Sequence, residues 1–281
     1  MRAASFRLLA ATLTAVGIST TVEASPRAVI ELFTSQGCSS CPPADELLAK
    51  LAREPDLIAL SLPVDYWDRL GWKDTLALHE FTERQRAYAD KRGDGQVYTP
   101  QAVVNGREAA VGSHRFGIEL AASATAAGLN VTLGVERKHD GIVVSVGAAP
   151  AGASAQGTVV LLPFYAAREV AIGRGENAHS KVTYTNVVRD ILPIDDWKGD
   201  AMLRPVPREA LKDYDGVVVL LQEGSIAKPG AILGARGSPC TRAPGSLDQG
   251  SSGRASSRRT VWHSSDKSLI SFDPILHLDT A

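Results

Sequence analysis

The sequence predicts an α/β domain followed by a small, sandwich-like antiparallel β domain. From residue 27 to about residue 128, apolar strand patterns alternate with helical patterns, which is typical of layered α/β folds. From residue 129 to about residue 236, short alternating segments follow one another with almost no helical periodicity, which favours a β sandwich. The chain has 281 residues, enough for two modest domains.

Periodicity and turn residues define the elements of the first domain. In chain order they are a strand (28–34), a helix (44–52), a strand (57–64), a helix ended by Gly93 (78–93), a hairpin turning at Asn105-Gly106, and a helix (113–127). Asn-Gly is a strong hairpin signal because both residues tolerate a positive φ.

The second domain is predicted from strict apolar alternation. Val131, Leu133 and Val135 share one face of a strand, and two further segments repeat the pattern. Beyond residue 236 the chain is rich in Ser, Gly and Arg and shows no periodicity, so residues 237–281 are predicted to be a disordered tail.

The N-terminus resembles a secretory signal peptide. Arg2 and Arg7 precede a short apolar run, and a small-x-small pattern ends at Ala24. We therefore expect residues 1–24 to be removed and the mature protein to be soluble and exported, to the periplasm or outside the cell. An uncleaved membrane anchor is the alternative.

The charge balance argues against nucleic-acid binding. The formal net charge is −1 and the pI is about 6.6, so no basic field attracts phosphates.

The central motif is the pair Cys38 and Cys41, separated by two serines and followed by Pro42-Pro43. The pair lies where a strand ends and a helix begins, and prolines are tolerated in a first helical turn. The dipole of that helix favours a thiolate over a thiol at its N-terminus. We predict that Cys38 is the nucleophile, that Cys41 is the resolving thiol, that the two form a reversible disulfide, and that no cofactor is needed.

Other segments extend this motif to a family resemblance. The strand–Cys-x-x-Cys–helix arrangement, with Thr99-Pro100 before a later strand, resembles the thioredoxin superfamily. More closely, "VIELFTSQGCSSCPPAD", "VDYWDRLGWKD", "VYTPQAVVNGR" and "RGENAHSKVTYTNVVR" resemble a secreted bacterial family known as domain of unknown function 1223.

The resemblance extends from Ala28 to Ala235. It implies a thioredoxin-like first domain, a cis bond at Thr99-Pro100 that covers the cysteines, and docking of a bound peptide on Thr99 by β-augmentation. Without that resemblance, Pro100 is equally well an ordinary edge-strand residue.

Asp65, Tyr66 and Trp67 follow the second strand, at the edge where ligands gather in open α/β sheets. Asp65 is a candidate acceptor for the Cys41 proton, and Tyr66 and Trp67 are candidates for an apolar wall beside the sulfurs that contacts substrate. The alternative is an ordinary turn with aromatic packing, capped by an aspartate.

Three other interpretations stay open at this point. The thiolates could bind copper(I) or zinc, although His79, His114 and Met202 show no ligand spacing, and we predict no metal site. The pair could be a structural disulfide, although so short a loop stabilises little. Segment 173–190 is by default a solvated hairpin loop, with a partner site at the domain junction as the alternative.

We therefore expect an exported thiol–disulfide oxidoreductase that acts on a protein or a small thiol or disulfide. The alternative is a non-catalytic thioredoxin-fold module that binds copper(I) or a protein partner. Ser39-Ser40 stands where familiar thioredoxins have Gly-Pro or Pro-His. Because hydrogen bonds to the thiolate set the redox potential, the sequence does not decide the direction of electron flow.

Overall fold

The structure, a computed structural model, describes residues 25–152, 156–211 and 213–239. The predicted signal peptide (1–24) and residues 240–281 of the predicted tail lie outside these residues. No helix of the described residues is long and apolar enough to cross a membrane.

Two parallel strands form the centre of the first segment. Strand β1 (Ala28–Thr34) pairs with strand β2 (Leu57–Pro63) along its whole length, and both strands are almost entirely buried. Parallel strands covered on both faces consist of nearly continuous apolar residues, which explains "AVIELFT" and "LIALSLP". Helix α1 (Pro42–Leu51) connects them and begins with its two prolines.

The remaining elements of the first segment agree with the predicted order. Helix α2 (His79–Arg92) ends at Gly93, which has a φ of 76°. Strands β3 (Gln101–Val104) and β4 (Glu108–Val111) form the predicted hairpin, with Asn105 at φ 51° and Gly106 at φ 66°. Helix α3 (Arg115–Thr125) follows.

The helices cover opposite faces of β1. Phe33 packs into one buried cluster with Phe81 of α2, whereas Ile30 packs into another with Leu48 of α1 and Ile118 of α3. This alternation follows from the two-residue period of a strand.

The second segment consists mainly of strands. They are β5 (Leu133–Lys138), β6 (Gly141–Val146), β7 (Gly157–Ala171), β8 (Lys181–Val188), β9 (Leu192–Trp197), β10 (Met202–Pro207), β11 (Gly216–Ser225) and β12 (Lys228–Pro239). Short 3₁₀ turns lie at Asp68–Leu70, Ala126–Gly128 and Arg208–Leu211.

Most of these strands join the sheet of the first segment. In the described residues, one nine-stranded sheet has the order β12-β11-β7-β8-β2-β1-β3-β4, with β9 also paired to β7. Strand β8 runs parallel to β2, with Ser61 opposite Val187. A second sheet, β10-β6-β5, packs over β7 and β11 through a separate apolar cluster.

The predicted organisation therefore needs two corrections. The boundary predicted at residue 128 does not separate two sheets, because β8 pairs with β2, and all described residues belong to one compact unit, Met1–Arg242. Strand β12 continues to Pro239, which pairs with Gly216, so residues 237–239, which we predicted to begin a disordered tail, belong to the sheet.

A buried polar network also connects the two segments. The Arg84 guanidinium donates to Glu31 (2.8 Å), Tyr88 (2.7 Å) and Gln222 (2.9 Å), and the Tyr88 hydroxyl donates to Glu31 (2.6 Å). Both side chains of the Arg84–Glu31 ion pair are almost fully buried. Burial acts to lower the pKa of Arg84, but Glu31 and Tyr88 raise it above its usual value, so the guanidinium stays charged. The network links β1, α2 and β11.

Candidate functional site

Cys38 and Cys41 form a disulfide in the structure, as predicted. The Cys38 N–H donates to the Ser35 carbonyl (3.2 Å) and the Cys41 N–H donates to the Cys38 carbonyl (3.1 Å), so the chain turns tightly from β1 into α1. Cys41 is the N-cap residue of α1. Both cysteines are 0 % exposed, whereas Ser39 and Ser40 between them are exposed.

Ser40 connects the disulfide to the Thr99-Pro100 segment. Its hydroxyl oxygen lies 3.4 Å from Cys38 Sγ and 3.5 Å from the Thr99 carbonyl oxygen, to which it donates. The Thr99-Pro100 bond is cis, as the resemblance implied, and Pro100 is buried.

Gly112 holds Pro100 in place and was not predicted. Its N–H donates to the Pro100 carbonyl (2.9 Å). A Cβ at this position would lie 3.0 Å from Pro100 Cβ and 2.5 Å from Leu32 Cδ1, so only glycine fits without a shift of its neighbours. The one sequence signal was a glycine directly after the β4 strand.

Trp67 contacts the Thr99 segment, and its neighbour Tyr66 packs against the apolar core. The Trp67 Nε1–H donates to the Thr99 hydroxyl (2.8 Å), and a Cβ added at Gly37 would lie 3.1 Å from Trp67 Cβ. Tyr66 and Trp67 both pack against the apolar cluster of β1, β2 and α2. Of the predicted apolar wall, Trp67 contacts Gly37 and the Thr99 segment.

A second set of contacts fixes the residues before Cys38. The Gln36 N–H donates to Asp74 Oδ2 (2.7 Å), and Trp72 Nε1–H donates to Gln36 Oε1 (2.9 Å). Asp74 also accepts from the N–H groups of Leu76 and Ala77 (2.8 and 3.1 Å). Burial raises the pKa of Asp74, while these backbone donors lower it.

The loop between β7 and β8, residues 172–180, packs against the cysteine pair. Asn177 Nδ2 donates to the carbonyl oxygens of Gln36 (3.0 Å) and Cys38 (2.8 Å), and the Ser39 N–H donates to Glu176 Oε2 (3.3 Å). The default prediction of a solvated hairpin loop is therefore incomplete. Glu176 is exposed, but Asn177 is half-buried against the backbone of Gln36 and Cys38.

Asp65 does not reach the cysteines through its hydrogen bonds. Its carboxylate accepts from the Thr82 hydroxyl (2.6 Å) and pairs with His79 Nδ1 (2.9 Å), both on α2. Partial burial acts to raise the pKa of Asp65, but the hydrogen bonds from Thr82 and His79 hold it below its usual value. A carboxylate held in this way is a poor proton acceptor, so the structure does not support the general-base role predicted for Asp65.

A different carboxyl group is buried one helical turn after Cys41. Asp45, in the first turn of α1, is 3 % exposed, and neither of its carboxyl oxygens has a hydrogen-bond partner among the described residues. Burial raises its pKa to about 8; the Thr34 hydroxyl offsets part of this shift and the charge of Asp74 adds to it. Asp45 lies in the first turn of α1, where acidic residues are usually exposed, so its burial was not predicted from the sequence.

The candidate metal ligands stay apart. Within the described ranges, no group of three or more His, Cys, Asp or Glu side chains could hold a metal ion.

The family follows from comparison with known sequences and structures. A family model described as protein of unknown function (DUF1223) matches residues 29–222. The chain belongs to the DUF1223 family. This chain is similar to a protein from Agrobacterium tumefaciens whose X-ray crystal structure is known. The two sequences are 35 % identical and the TM-score is 0.70; the match covers 81 % of this chain and 99 % of that protein.

A more distant structure shares the fold alone. HBP35 of Porphyromonas gingivalis is 12 % identical, with a TM-score of 0.52, over 82 % of this chain and 80 % of that protein. A search of curated proteins gave no significant match. In this member of DUF1223, functional conclusions therefore depend on the site itself.

Proposed function

We propose that this DUF1223 protein is an exported, thioredoxin-like thiol–disulfide oxidoreductase. The observation that carries the proposal is the Cys38–Cys41 disulfide at the N-terminus of α1, connected through Ser40 to the cis Thr99-Pro100 segment. A purely structural bridge across so short a loop would stabilise the fold little.

The reaction transfers two electrons. In the reduced protein, the Cys38 thiolate attacks a partner disulfide, forms a Cys38–partner disulfide and releases the first partner thiolate. Cys41 loses its proton and attacks Cys38 Sγ, which forms the Cys38–Cys41 disulfide and releases the second partner thiolate. The partner is reduced and the cysteine pair is oxidised; the reverse sequence oxidises a partner dithiol.

The helix supports the first step. The dipole of α1 favours negative charge at its N-terminus, where the pair lies, and so favours the Cys38 thiolate. Disulfide-forming chemistry of this kind fits an oxidising compartment, in agreement with the signal peptide expected over residues 1–24.

Asp45 is suited to the second step. Residues four apart lie on the same side of a helix, and the Asp45 N–H donates to the Cys41 carbonyl (3.1 Å). A buried carboxyl group with a pKa of about 8 exchanges a proton near neutral pH, so we assign to Asp45 the role of accepting the Cys41 proton.

The surroundings of Thr99 favour a polypeptide partner. Val97, Val111 and Phe116 are 37, 48 and 69 % exposed, and they flank Thr99 and Gly112 in the sequence. Exposed apolar side chains near the Thr99 carbonyl suit an extended partner segment with apolar side chains.

The test is a trapping experiment. In a Cys41→Ser variant, Cys38 forms mixed disulfides that cannot resolve, so partners should appear as reducible adducts on non-reducing gels. With Cys240→Ser in every variant, so that the third cysteine of the chain contributes no thiol, the Cys38→Ser variant and the double variant should give none. Absence of adducts with Cys41→Ser under conditions where Cys38 is alkylated would refute the proposal; tight binding of copper(I) in that case would favour the non-catalytic alternative.

A further inference from the structure

The Ser40 hydroxyl has two acceptors and one proton. Its oxygen lies 3.4 Å from Cys38 Sγ and 3.5 Å from the Thr99 carbonyl oxygen, and the side chain sits at the exposed surface between them. A serine hydroxyl donates one hydrogen bond at a time, so it serves one of these two atoms at any moment. Which atom it serves depends on the charge of the sulfur.

We propose that Ser40 couples the redox state of the cysteine pair to the docking of the partner chain, by moving its hydrogen bond between the Thr99 carbonyl and the Cys38 sulfur. The inference rests on the proposed oxidoreductase function and names a further residue in contact with the reacting sulfur.

In the oxidised protein the carbonyl is the better acceptor. A disulfide sulfur is neutral and accepts weakly, whereas a backbone carbonyl oxygen is a strong acceptor. Ser40 therefore donates to Thr99, and one of the two lone pairs of that carbonyl oxygen is engaged.

In the reduced protein the order reverses. Hydrogen bonds to an ionised acceptor are about twice as strong as those between neutral groups. Ser40 then donates to the Cys38 thiolate, and the Thr99 carbonyl is released to accept an N–H group from an extended partner segment. No covalent bond changes in this exchange; the hydroxyl proton stays on Ser40 throughout.

Two consequences follow for the catalytic cycle. The thiolate gains a donor, which favours the reduced protein and the attacking species. The Thr99 carbonyl has no competing donor when Cys38 is ready to attack and shares its oxygen with Ser40 again once Cys41 has regenerated the disulfide, which weakens docking and favours release of the product.

The experiment compares Ser40→Ala with Ser39→Ala, the neighbouring exposed serine, whose contact to Glu176 is made by its backbone N–H. The Cys38 thiol pKa is measured from the pH dependence of alkylation by iodoacetamide, and the redox equilibrium is measured in glutathione buffers. We expect Ser40→Ala to raise the thiol pKa by roughly 0.5–1 unit and to shift the equilibrium toward the disulfide by about threefold to tenfold, or about 15–30 mV. Ser39→Ala should stay close to the wild type, and Ser40→Thr, which keeps the hydroxyl, should restore most of the difference.

A second measurement isolates the coupling. The ¹³C chemical shift of the Thr99 carbonyl should change on reduction with dithiothreitol in the wild type, and should change much less in Ser40→Ala. Equal pKa values in wild type and Ser40→Ala, or an equal carbonyl response in both, would overturn the inference. Neither measurement needs a partner, so failure of the trapping experiment and failure of this one are distinct results.

Discussion

The two hydrogen bonds from Asn177 keep the disulfide covered, and their removal should make it more reactive. Asn177 Nδ2 donates to the carbonyls on either side of Gly37, at 3.0 Å to Gln36 and 2.8 Å to Cys38, and both cysteines are 0 % exposed. A reductant therefore reaches the sulfurs from a state in which the β7–β8 loop has moved away. The Asn177→Ala variant removes two of the hydrogen bonds that oppose this movement and leaves the one from the Ser39 N–H to Glu176.

The magnitude follows from the two bonds. A typical intramolecular hydrogen bond contributes about 0.5–1.5 kcal/mol, so two bonds favour the covered state by about 1–3 kcal/mol. Since about 1.4 kcal/mol corresponds to a factor of ten, the open fraction should rise by roughly fivefold to 150-fold in Asn177→Ala. When opening is fast compared with chemistry, the rate of reduction rises by the same factor.

The assay is reduction by dithiothreitol at fixed pH, with samples quenched by a maleimide and the mass shift counted over time. Ser180→Ala is the matched variant, because the Ser180 hydroxyl donates to the Asn177 carbonyl within the same loop (2.5 Å) and leaves the contacts with Gln36 and Cys38 intact. We expect less than a twofold change for Ser180→Ala. An unchanged rate for a folded Asn177→Ala protein would refute the idea that this loop limits access.

Two further predictions concern buried charges. Arg84→Met leaves Glu31 buried without its cation and should lower the free energy of unfolding in urea by about 3–5 kcal/mol, whereas Arg86→Met, which removes an exposed ion pair on the same helix, should change it by about 0.5 kcal/mol or less. For Asp45, the pKa is about 8 in the folded protein and about 3.9 in the unfolded chain, so the folded state binds the proton more tightly and stability falls as the pH rises from about 4 through about 8. Asp45→Asn should be increasingly stabilised relative to the wild type across that pH range and should resolve mixed disulfides more slowly; parallel pH dependences of the two urea midpoints would contradict the assignment.

Local signals account for the parts of the site that could be predicted. The strand before Cys38, the prolines after Cys41 and the Asn105-Gly106 turn each act within a few residues, and the structure contains the elements that they indicate. The position of Pro100 depended on a family resemblance, because a Thr-Pro pair alone is also common at strand edges.

Long-range contacts account for what was missed. Asn177 is 139 residues from Cys38, and it reaches Cys38 because β8 lies beside β2 in the shared sheet. No local pattern encodes that pairing. Asp45 was misjudged for a related reason: its helix position was predicted correctly, but its burial depends on the elements that pack over α1.

The shared sheet also limits how this protein can be divided or recombined. A fragment that stops at residue 128 would keep Cys38, Cys41 and Pro100 but would lose β8, the neighbour of β2 on its outer side. Its apolar strand β2 would then become an unprotected edge, which is a template for aggregation. The segment that carries the cysteine motif can therefore not be transferred to another protein by itself. A cut at residue 128 would remove β8, which keeps β2 from pairing with other molecules, and also the β7–β8 loop, which hydrogen-bonds to Gln36 and Cys38.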